Sequence, residues 1–568
     1  MDNYQIADNF SLLGKLMDIH NENSFKAKSY SVAAFNIEKL TVQLSDLPKD
    51  RPFSLPGIGE AISKKIIELL ETGKMQNLES LLEKTPPGIL EMMSIKGIGP
   101  KKISIIWKEM GIESVGELLY ACHENRLLLY KGFGEKTQNN VAESIEFYQR
   151  QQGNYLYAQV ELIAHELHKF LVKLFSTDRI LITGDFRRQA ETVNELSYVV
   201  PSSLQNIIAR FEKLEDFEYL EANESSASYK YDNGIRLKLY SSNEDHLIEK
   251  LFYTSGSEDF NTQFKIEFPN IDLSNLADEE SIFPKLNIQY IPACLRENKL
   301  ILEKARNFSI PVLIEPADIK AIIHSHSNWS DGSNTLQELA ESCIANGMEY
   351  LVISDHSKAA FYAKGLTEDR VRAQHKLIDE LNLGFQSESG KKPAFKIFKS
   401  IESDILNDGA LDYNNEVLST FDLVIASIHS NLKMNEEKAM KRLLAAIENP
   451  YTIILGHMTG RLLLSRNGFP VDHIKIIDAC AANHVVIELN AHPRRLDMRW
   501  QWLQYALEKN VLISIDPDAH SIDEFHNTRY GVLAAQKGML TKEQNLSSFS
   551  LEQFEKFLFD VRKKKGIA

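Results

Sequence analysis

Nine of the histidines and carboxylates between positions 324 and 520 stand out as candidate ligands for divalent metal ions: His324, His326, Asp331, His356, Glu402, His429, His457, Asp518 and His520. His324 and His326 stand two apart in Ile322-Ile323-His324-Ser325-His326, a spacing that in a β-strand turns both side chains to one side. Such a pair is common and decides little; its company decides more. Asp331 follows in the loop NWSDGS. His356 ends YLVISDH, Glu402 ends KIFKSIE with Asp404 just beyond, His429 closes FDLVIASIH and His457 closes YTIILGH. Asp518 and His520 follow VLISID in DPDAH. Imidazoles mixed with carboxylates suit Mn²⁺, Zn²⁺ or Fe²⁺ better than Mg²⁺ or Ca²⁺. So many ligands exceed the needs of one ion and predict two or three. Such ions lower the pKa of the water they hold and clamp the attacking and leaving oxygens of a phosphate ester. The set reads as a metallohydrolase, with His326, Asp331 and Asp518 as its expected catalytic members. His165 and His168, in AHELHKF, lack the spacing of a metal-binding helix and read as ordinary helix-face residues.

The elements that must position these ligands are legible as apolar runs. YLVISD, FKIF, FDLVIASI, YTIILG, VVIELN and VLISID alternate with the helical stretches SNTLQELAESCIANG, EEKAMKRLLAAIE and VDHIKIIDACAAN. Near-continuous apolar strands alternating with helices predict a parallel sheet covered by helices, open or barrelled. Nearly every ligand lies at the carboxyl end of a run, which in such a fold is one face. Upstream, RILITG, LSYVV and IRLKLY predict a β-rich piece, preceded by a helix around Leu156–Phe175. Residues 291–320 hold three prolines without an amphipathic period and read as an interdomain connection. The first 150 residues read as short helices with glycine-centred turns.

Two of those turns share one plan. LPGIGEAISKKIIELLETG (55–73) and IKGIGPKKISIIWKEMG (95–111) each lead through Gly-Ile-Gly into a helix with lysines in its first turns. The glycines Gly57, Gly59, Gly97 and Gly99 let backbone approach a partner closely. The helix starts behind them offer free N–H groups to a phosphate, with Lys64, Lys65, Lys101 and Lys102 adding charge. YKGFGEKTQNNVAESI (130–145) is a looser third copy. Any one copy is also compatible with a plain helical corner; the repetition points to sequence-independent binding of a DNA backbone. These segments resemble the helix-hairpin-helix motif of DNA repair proteins. With SFKAKSYSVAAFNIEKL (24–40), the front as a whole resembles family X DNA polymerases. That resemblance implies a role for Lys65: lyase members carry, six residues after the second hairpin glycine, a lysine that forms a Schiff base with an abasic sugar. Lys64 beside it would help lower its pKa. The alternative is that both lysines simply meet phosphates.

TGDFRRQAETVNELSYVV (183–200) resembles the same family's nucleotidyl-transfer motif, but with its chemistry altered. Gly184, Arg187 and Arg188 match. The motif's serine is Asp185, its paired aspartates fall on Glu195 and Ser197, and its third aspartate falls on or near Arg236 in GIRLKLY. Two-metal phosphoryl transfer needs several carboxylates. Here one remains, a guanidinium stands where a ligand should, and Asp185 would repel a triphosphate. In TSGSEDFN (254–261), Glu258 and Phe260 replace a basic pair. The expectation is a polymerase fold kept and nucleotide addition lost.

The metal-ligand pattern itself resembles the PHP (polymerase and histidinol phosphatase) domain, which implies a distorted (β/α)7 barrel and all nine ligand positions filled. The likeness runs on through GHMTGRLLLSR and ELNAHPRRLDM, where it implies that Arg461, Asn490 and Arg495 reach a substrate phosphate. Ile322 and Ser400 depart from the family pattern at positions that bind no metal. Front, middle and back occur in this order in bacterial family X DNA polymerases with a C-terminal PHP domain. The implied architecture is multidomain: a lyase-like helix-hairpin-helix domain (1–85), a second, fingers-like one (86–150), an α+β nucleotidyltransferase-like palm with thumb and linker (151–315), and the PHP domain (316–568). The implied activity is Mn²⁺-dependent 3′–5′ exonuclease or phosphodiesterase action on gapped, nicked or 3′-ended DNA. Three rivals stand beside it: a gap-filling polymerase with an auxiliary nuclease, which requires Glu195 and a further carboxylate for which Glu191 is a candidate; a non-catalytic DNA-end scaffold; and a small-molecule phosphatase, which leaves the glycine hairpins unexplained.

Composition bounds rather than decides. A chain of 568 residues is too long for one core. A net charge of −15 argues against a generally basic nucleic-acid coat and puts DNA contact on local loops. No apolar run reaches the ~20 residues of a membrane span. The acidic, polar start MDNYQIADNF does not read as a signal peptide. The four cysteines, Cys122, Cys294, Cys343 and Cys480, form no framework, which fits a reducing cytoplasm. A monomer is expected.

Overall fold

Apolar side chains at three- and four-residue spacing wind the front of the chain into helices. A computed structural model describes residues 1–40, 42–48, 58–150, 153–231, 234–385 and 395–567. Its helices begin with α1 (Asn3–Ile19), α2 (Ser24–Glu38), α3 (Glu60–Thr72), α4 (Gln76–Lys84), α5 (Pro87–Met92), α6 (Pro100–Lys108), α7 (Val115–His123) and α8 (Glu135–Arg150). Local chemistry sets the starts: Asp2 and Gln5 close a capping box on α1, and Asn23 caps α2. Phe10, Leu13, Ile37, Ile66, Leu78, Ile89, Met92, Ile103, Leu118 and Val141 share one core. The expected segments 1–85 and 86–150 therefore pack together, and Met1–Tyr148 is one compact unit.

The second unit, Gln149–Ala568, contains two sheet systems. It opens with β1 (Tyr155–Leu156) and α9 (Tyr157–Phe175), followed by β2 (Leu181–Thr183), β3 (Thr192–Val193), β4 (Glu195–Pro201), β5 (Phe217–Ala222), β6 (Ser226–Tyr231) and β7 (Ile235–Ser242). The main sheet runs β2-β4-β7-β6-β5, and only the β4–β7 pair is parallel. Its register sets Glu195 opposite Arg236 and Ser197 opposite Lys238. Residues 291–320, read from sequence as a connection, are not one. Ile291, Cys294, Leu295, Ile301, Leu302, Ala305 and Ile310 are buried in a core with Phe252, Phe260 and Phe283. The stretch carries the helix Leu300–Arg306; its prolines break the period without removing its apolar side chains from the core.

The second system is made of β8 (Ala321–Ser325), β9 (Tyr350–Ile353), β10 (Lys396–Lys399), β11 (Glu402–Asp404), β12 (Val424–Ser427), β13 (Thr452–Leu455), β14 (Val486–Asn490) and β15 (Ile513–Asp516). Every pairing among them is parallel, in the orders β10-β9-β8 and β11-β12-β13-β14-β15. β10 and β11 are one extended run interrupted at Ser400–Ile401. A bridge between His356 and Glu402 joins its second part to the β9 end. At the other side Ser325 bridges Ala519, and the His326 amide donates to the Ala519 carbonyl at 2.8 Å. The pairing thus returns to β8. Helices Leu336–Ala345, Glu368–Gly384, Glu436–Glu448 and His473–Asn483 follow strands, as parallel connections require. Among the described residues no helix is long and apolar enough to cross a membrane.

Candidate metal centre

Six histidines and three carboxylates converge at the carboxyl ends of β8–β15. Glu402 lies in their midst. Its Oε1 is 2.9 Å from His457 Nε2, 3.0 Å from His429 Nε2 and 3.3 Å from His324 Nε2. Its Oε2 is 2.9 Å from His356 Nδ1 and 3.7 Å from His326 Nε2. Asp331 stands 3.5 Å from both His356 Nε2 and His520 Nε2. Asp518 Oδ1 stands 3.2 Å from His326 Nε2 and 3.4 Å from His324 Nε2. Three overlapping groups have donor atoms close enough to share an ion: His326, Asp331, His356 and His520; His324, His326 and Asp518; His356, Glu402 and His429.

The pairing of His324 with His326 has a different cause from plain strand alternation. His324 has φ +59°, and the β8–β9 register shifts between Ile322 and Ser325. A non-glycine residue in the left-handed region is uncommon. Here it marks a register shift inside β8 at the first ligand, and both rings reach the same Asp518 oxygen. Asp518 is likewise left-handed, at φ +53°. Glu402 opens β11 rather than ending β10, so the interruption of that strand delivers it to the centre. Gly332 lets the Asp331 loop fold against His326: a Cβ there would lie 2.3 Å from the His326 carbonyl oxygen.

The donor set fits divalent cations. His324 Nε2, His326 Nδ1, His356 Nδ1 and Glu402 Oε2 are buried and make no hydrogen bond of proper geometry. Burial together with His520 and His356 pushes His326 down to about 3, leaving a neutral ring with a lone pair. Burial alone would raise Asp331, Glu402 and Asp518, but the surrounding imidazoles outweigh it and hold all three well below the usual carboxylate range. Burial would lower His429, yet Glu402 and Asp404 lift it to about 9. Protons on imidazole are thus supplying the positive charge that the carboxylates demand, and a metal ion would supply it instead.

Sequence reasoning missed two supporting carboxylates. Glu488 is hydrogen-bonded to His324 Nδ1 and accepts from the His457 amide at 2.5 Å. Its two-residue spacing from Asn490 in VIELN puts both on one strand face, a signal that was available. Asp355 accepts from Ser327 N (2.8 Å), Ser327 Oγ (2.6 Å) and Gln374 Nε2 (2.6 Å), fixing the turn that leads to Asp331; nothing in its spacing marks it. Asp404, 3.2 Å from His429 Nδ1, and the Asp518 carbonyl, 3.1 Å from His520 Nδ1, orient two further rings with Nε2 inward. Of the three residues expected to meet a phosphate, Asn490 donates to Asp518 Oδ2 at 2.9 Å and Arg495 Nε lies 3.4 Å from the same oxygen. Arg461 differs: it is buried, with its guanidinium on Glu191 (2.7 Å) and on the carbonyls of Arg495 (2.9 Å) and Leu496.

The β4–β7 site is organised oppositely. Glu195 is flanked by Arg236 (3.4 Å) and Lys238 (3.7 Å), and Ser197 Oγ donates to it at 3.2 Å. Asp185 pairs with Arg188 at 2.5 Å beside Gly184, whose φ is +70°. Arg187 is held by Glu279 at 2.7 Å. Glu191, weighed as a replacement ligand, instead faces Arg461. His168 Nε2 lies 2.9 Å from the Ile180 carbonyl, the ordinary structural use expected of it.

In the first unit Gly59 and Gly99 are the residues capping α3 and α6, and Gly97 has φ +92°. Gly57 lies outside the described residues. Lys64 pairs with Glu60 at 2.7 Å and Lys65 with Glu68 at 3.9 Å. Lys101 is exposed, and Lys102 lies 5.7 Å from the Phe133 ring centre.

Family models match this arrangement in the same order. A helix-hairpin-helix domain covers residues 1–75, a SAM-like helix-hairpin-helix tandem covers 89–146, and a PHP domain covers 323–492. The DNA polymerase/3′-5′ exonuclease PolX of Bacillus subtilis is 31% identical over 564 residues, spanning 95% of this chain and 96% of the relative. The chain belongs to the PolX family of family X DNA polymerases with a PHP domain. Its PHP portion is also 30% identical, over 174 residues, to a probable phosphatase of Acetivibrio thermocellus, covering 30% of this chain and 64% of that protein. A probable phosphatase of Caldanaerobacter subterraneus subsp. tengcongensis is 23% identical over 254 residues, 43% of this chain and 92% of the relative. In this PolX family member the PHP model stops at 492, so Asp518 and His520 join the centre through the fold.

Proposed function

We propose that the chain is a DNA end-processing enzyme: its PHP domain (316–568), a distorted (β/α)7 barrel, hydrolyses phosphodiester bonds from 3′ ends with two or three Mn²⁺ ions. Residues 1–85 and 86–150 hold DNA by its backbone, and 151–315 form a nucleotidyltransferase-like palm that no longer adds nucleotides. The reading rests on one observation. The buried carboxylates of the barrel face imidazoles, which exchange a proton for a metal, whereas Glu195 faces a guanidinium and an ammonium. Bound divalent ions would supply Lewis acidity and an activated water at the ester. The chain's own groups do the rest. Nε2 atoms of His324, His429 and His520, turned inward by Glu488, Asp404 and the Asp518 carbonyl, hold the ions with Asp331, Glu402 and Asp518. Asn490 and Arg495, beside Asp518, orient a phosphate oxygen. The name of the Bacillus relative, and the phosphatase names of the PHP relatives, support a phosphoester substrate. We assign a monomeric state and leave Lys65 its resemblance-based role as an abasic-sugar nucleophile.

The same relative's name favours a second reading, a polymerase that also trims. One assay separates them: a labelled primer on gapped DNA with Mn²⁺, with and without nucleotides, alongside His326→Ala. Shortening from the 3′ end that ignores nucleotides and vanishes in the variant is expected. Primer growth would overturn loss of the polymerase. Tight DNA binding with neither outcome would favour the non-catalytic scaffold.

A further inference from the structure

The segment Gly184–Glu191 carries the Arg-Arg of the nucleotidyl-transfer motif, and it is docked against the PHP side of its unit. The Lys537 ammonium donates to the Arg188 carbonyl at 2.7 Å and to Glu297 at 2.5 Å, and Gln189 donates to Gln536 at 3.0 Å. Glu191 ends the segment with both carboxylate oxygens on Arg461, at 2.7 and 3.3 Å. Arg461 is 3% exposed and carries the contact inward. Its remaining donors hold the carbonyls of Arg495 and Leu496, while the Arg495 side chain reaches Asp518 at 3.4 Å. The same loop is pinned at Asp497, whose carbonyl accepts from the Asn490 amide at 2.5 Å and whose carboxylate accepts from Thr459 N and Oγ1 at 3.0 and 2.9 Å. Thr459 and Arg461 follow the ligand His457 in GHMTGR. Arg461 thus shares with Asp497 the holding of the loop from which Arg495 reaches Asp518, and Thr459 ties that loop to the turn after His457.

We propose that Glu191 of the palm is a positioning residue for the PHP metal centre, acting through Arg461 and the 492–497 loop on Asp518. The inference deepens the phosphoesterase reading and rests on it for its functional meaning, but the structural link concerns metal binding. Without Glu191 the Arg461 guanidinium is buried with no counter-ion, and it swings outward or draws the loop with it. Either response loosens the Arg495–Asp518 contact. The ion pair Arg529–Glu161 also ties α9 to the PHP side (2.8 Å between Arg529 Nη1 and Glu161 Oε2) but bonds to neither Arg461 nor the 492–497 loop, so it serves as a comparison for loss of a buried acid off this route.

The test is Mn²⁺ binding by full-length protein, read from the free-ion electron paramagnetic resonance signal. Glu191→Ala is expected to weaken Mn²⁺ binding on the order of tenfold, as changes behind a metal ligand do. Glu191→Gln, which keeps one acceptor and the side-chain volume, is expected to weaken it less. Glu161→Gln is expected to leave it unchanged. In an Arg495→Ala background the Glu191→Ala effect should disappear, since both lie on one path. Unchanged binding in Glu191→Ala, an equal loss in Glu161→Gln, or full additivity with Arg495→Ala would each overturn the link. If Glu191→Ala does not fold, Glu191→Gln, alone and combined with Arg495→Ala, tests the same link by the same criteria. Hydrolysis of bis(p-nitrophenyl) phosphate, run in parallel, keeps metal binding and catalysis apart. A wild type that binds Mn²⁺ but cleaves nothing sinks the phosphoesterase reading, while the binding series still judges the link.

Discussion

The second unit holds two clusters of acidic side chains on sheet ends, and they differ in what faces the carboxylates. Around β4 and β7 every one of them meets a permanent cation: Glu195 meets Arg236 and Lys238, Asp185 meets Arg188, and Glu279 meets Arg187 and Arg296. Around β8–β15 Asp331 and Glu402 meet imidazoles, and Asp518 meets two imidazoles with the Arg495 guanidinium at 3.4 Å on its other oxygen. A guanidinium keeps its proton at any physiological pH and offers no lone pair. An imidazole gives up a proton near neutrality and becomes a ligand. The first arrangement is a finished set of ion pairs that a metal could enter only by breaking them; the second is a set of ring nitrogens that can give up a proton for a metal. What separates a structural charge network from a metal centre here is the chemistry of the cationic partner, since both are rich in acids.

The largest expected effect tests the β8–β15 side directly. Glu402 touches five of the six histidines, so Glu402→Gln should lower Mn²⁺-dependent phosphodiester hydrolysis by more than about a hundredfold, beyond what loss of an orienting group costs. Activity within a few-fold of wild type would mean that Glu402 is an ordinary buried acid and that the contrast fails.

The β4–β7 side predicts stability rather than activity. Burial opposes ionisation of Glu279, but the Arg296 and Arg187 guanidiniums outweigh it and hold its pKa at about 2 instead of 4.5. A depressed carboxylate stabilises the fold above its unfolded pKa and loses that contribution as pH falls through the folded value. Glu279→Gln should therefore cost on the order of 3 kcal/mol at pH 7. The gap from wild type should shrink as pH drops from about 4.5 towards 2. Chemical denaturation at several pH values measures it, and a gap independent of pH would refute the network's electrostatic origin.

Smaller still is the loss from an orienting partner. Asp404→Asn keeps a side chain against His429 but removes the charge behind its Nδ1. Mn²⁺ affinity should fall about tenfold, with the protein folded as judged by circular dichroism. No change in affinity would place His429 outside the metal set. The least effect belongs to Glu195→Gln. Its partly exposed pairs with Arg236 and Lys238 are worth less than about 1 kcal/mol. Trimming of a primer should be unchanged and extension absent before and after. Extension that the substitution abolishes would show Glu195 to be a working ligand and would erase the contrast.

Local chemistry made much of this legible. The apolar runs fixed the strands because burial on both faces demands Val, Ile and Leu. The polar residue ending each run marked the carboxyl face, and the Gly-Ile-Gly repeats marked helix starts. Ser197 and Arg236, at positions where the resemblance implies aspartates, were readable because residue type alone is concerned. Other features were not readable, and each required contact between residues far apart in the chain. Residues 291–320 looked like a linker because prolines hide periodicity, yet their apolar side chains fill a core. Arg461 looked like a phosphate ligand by its motif, but its partner, Glu191, lies 270 residues upstream. Glu488 was passed over because its role depends on His324, 164 residues before it.

The sequence by itself determined the inventory: which side chains have donors suited to a metal, which do not, and which elements carry them. That follows because side-chain pKa, donor type and periodicity are properties of residues and their near neighbours. The tertiary structure decided the pairing. It chose Glu402 as the hub, shifted the strand register at His324, and set Glu191 against Arg461. Coulomb and coordination energies depend on distances through space, and only the closed fold sets those.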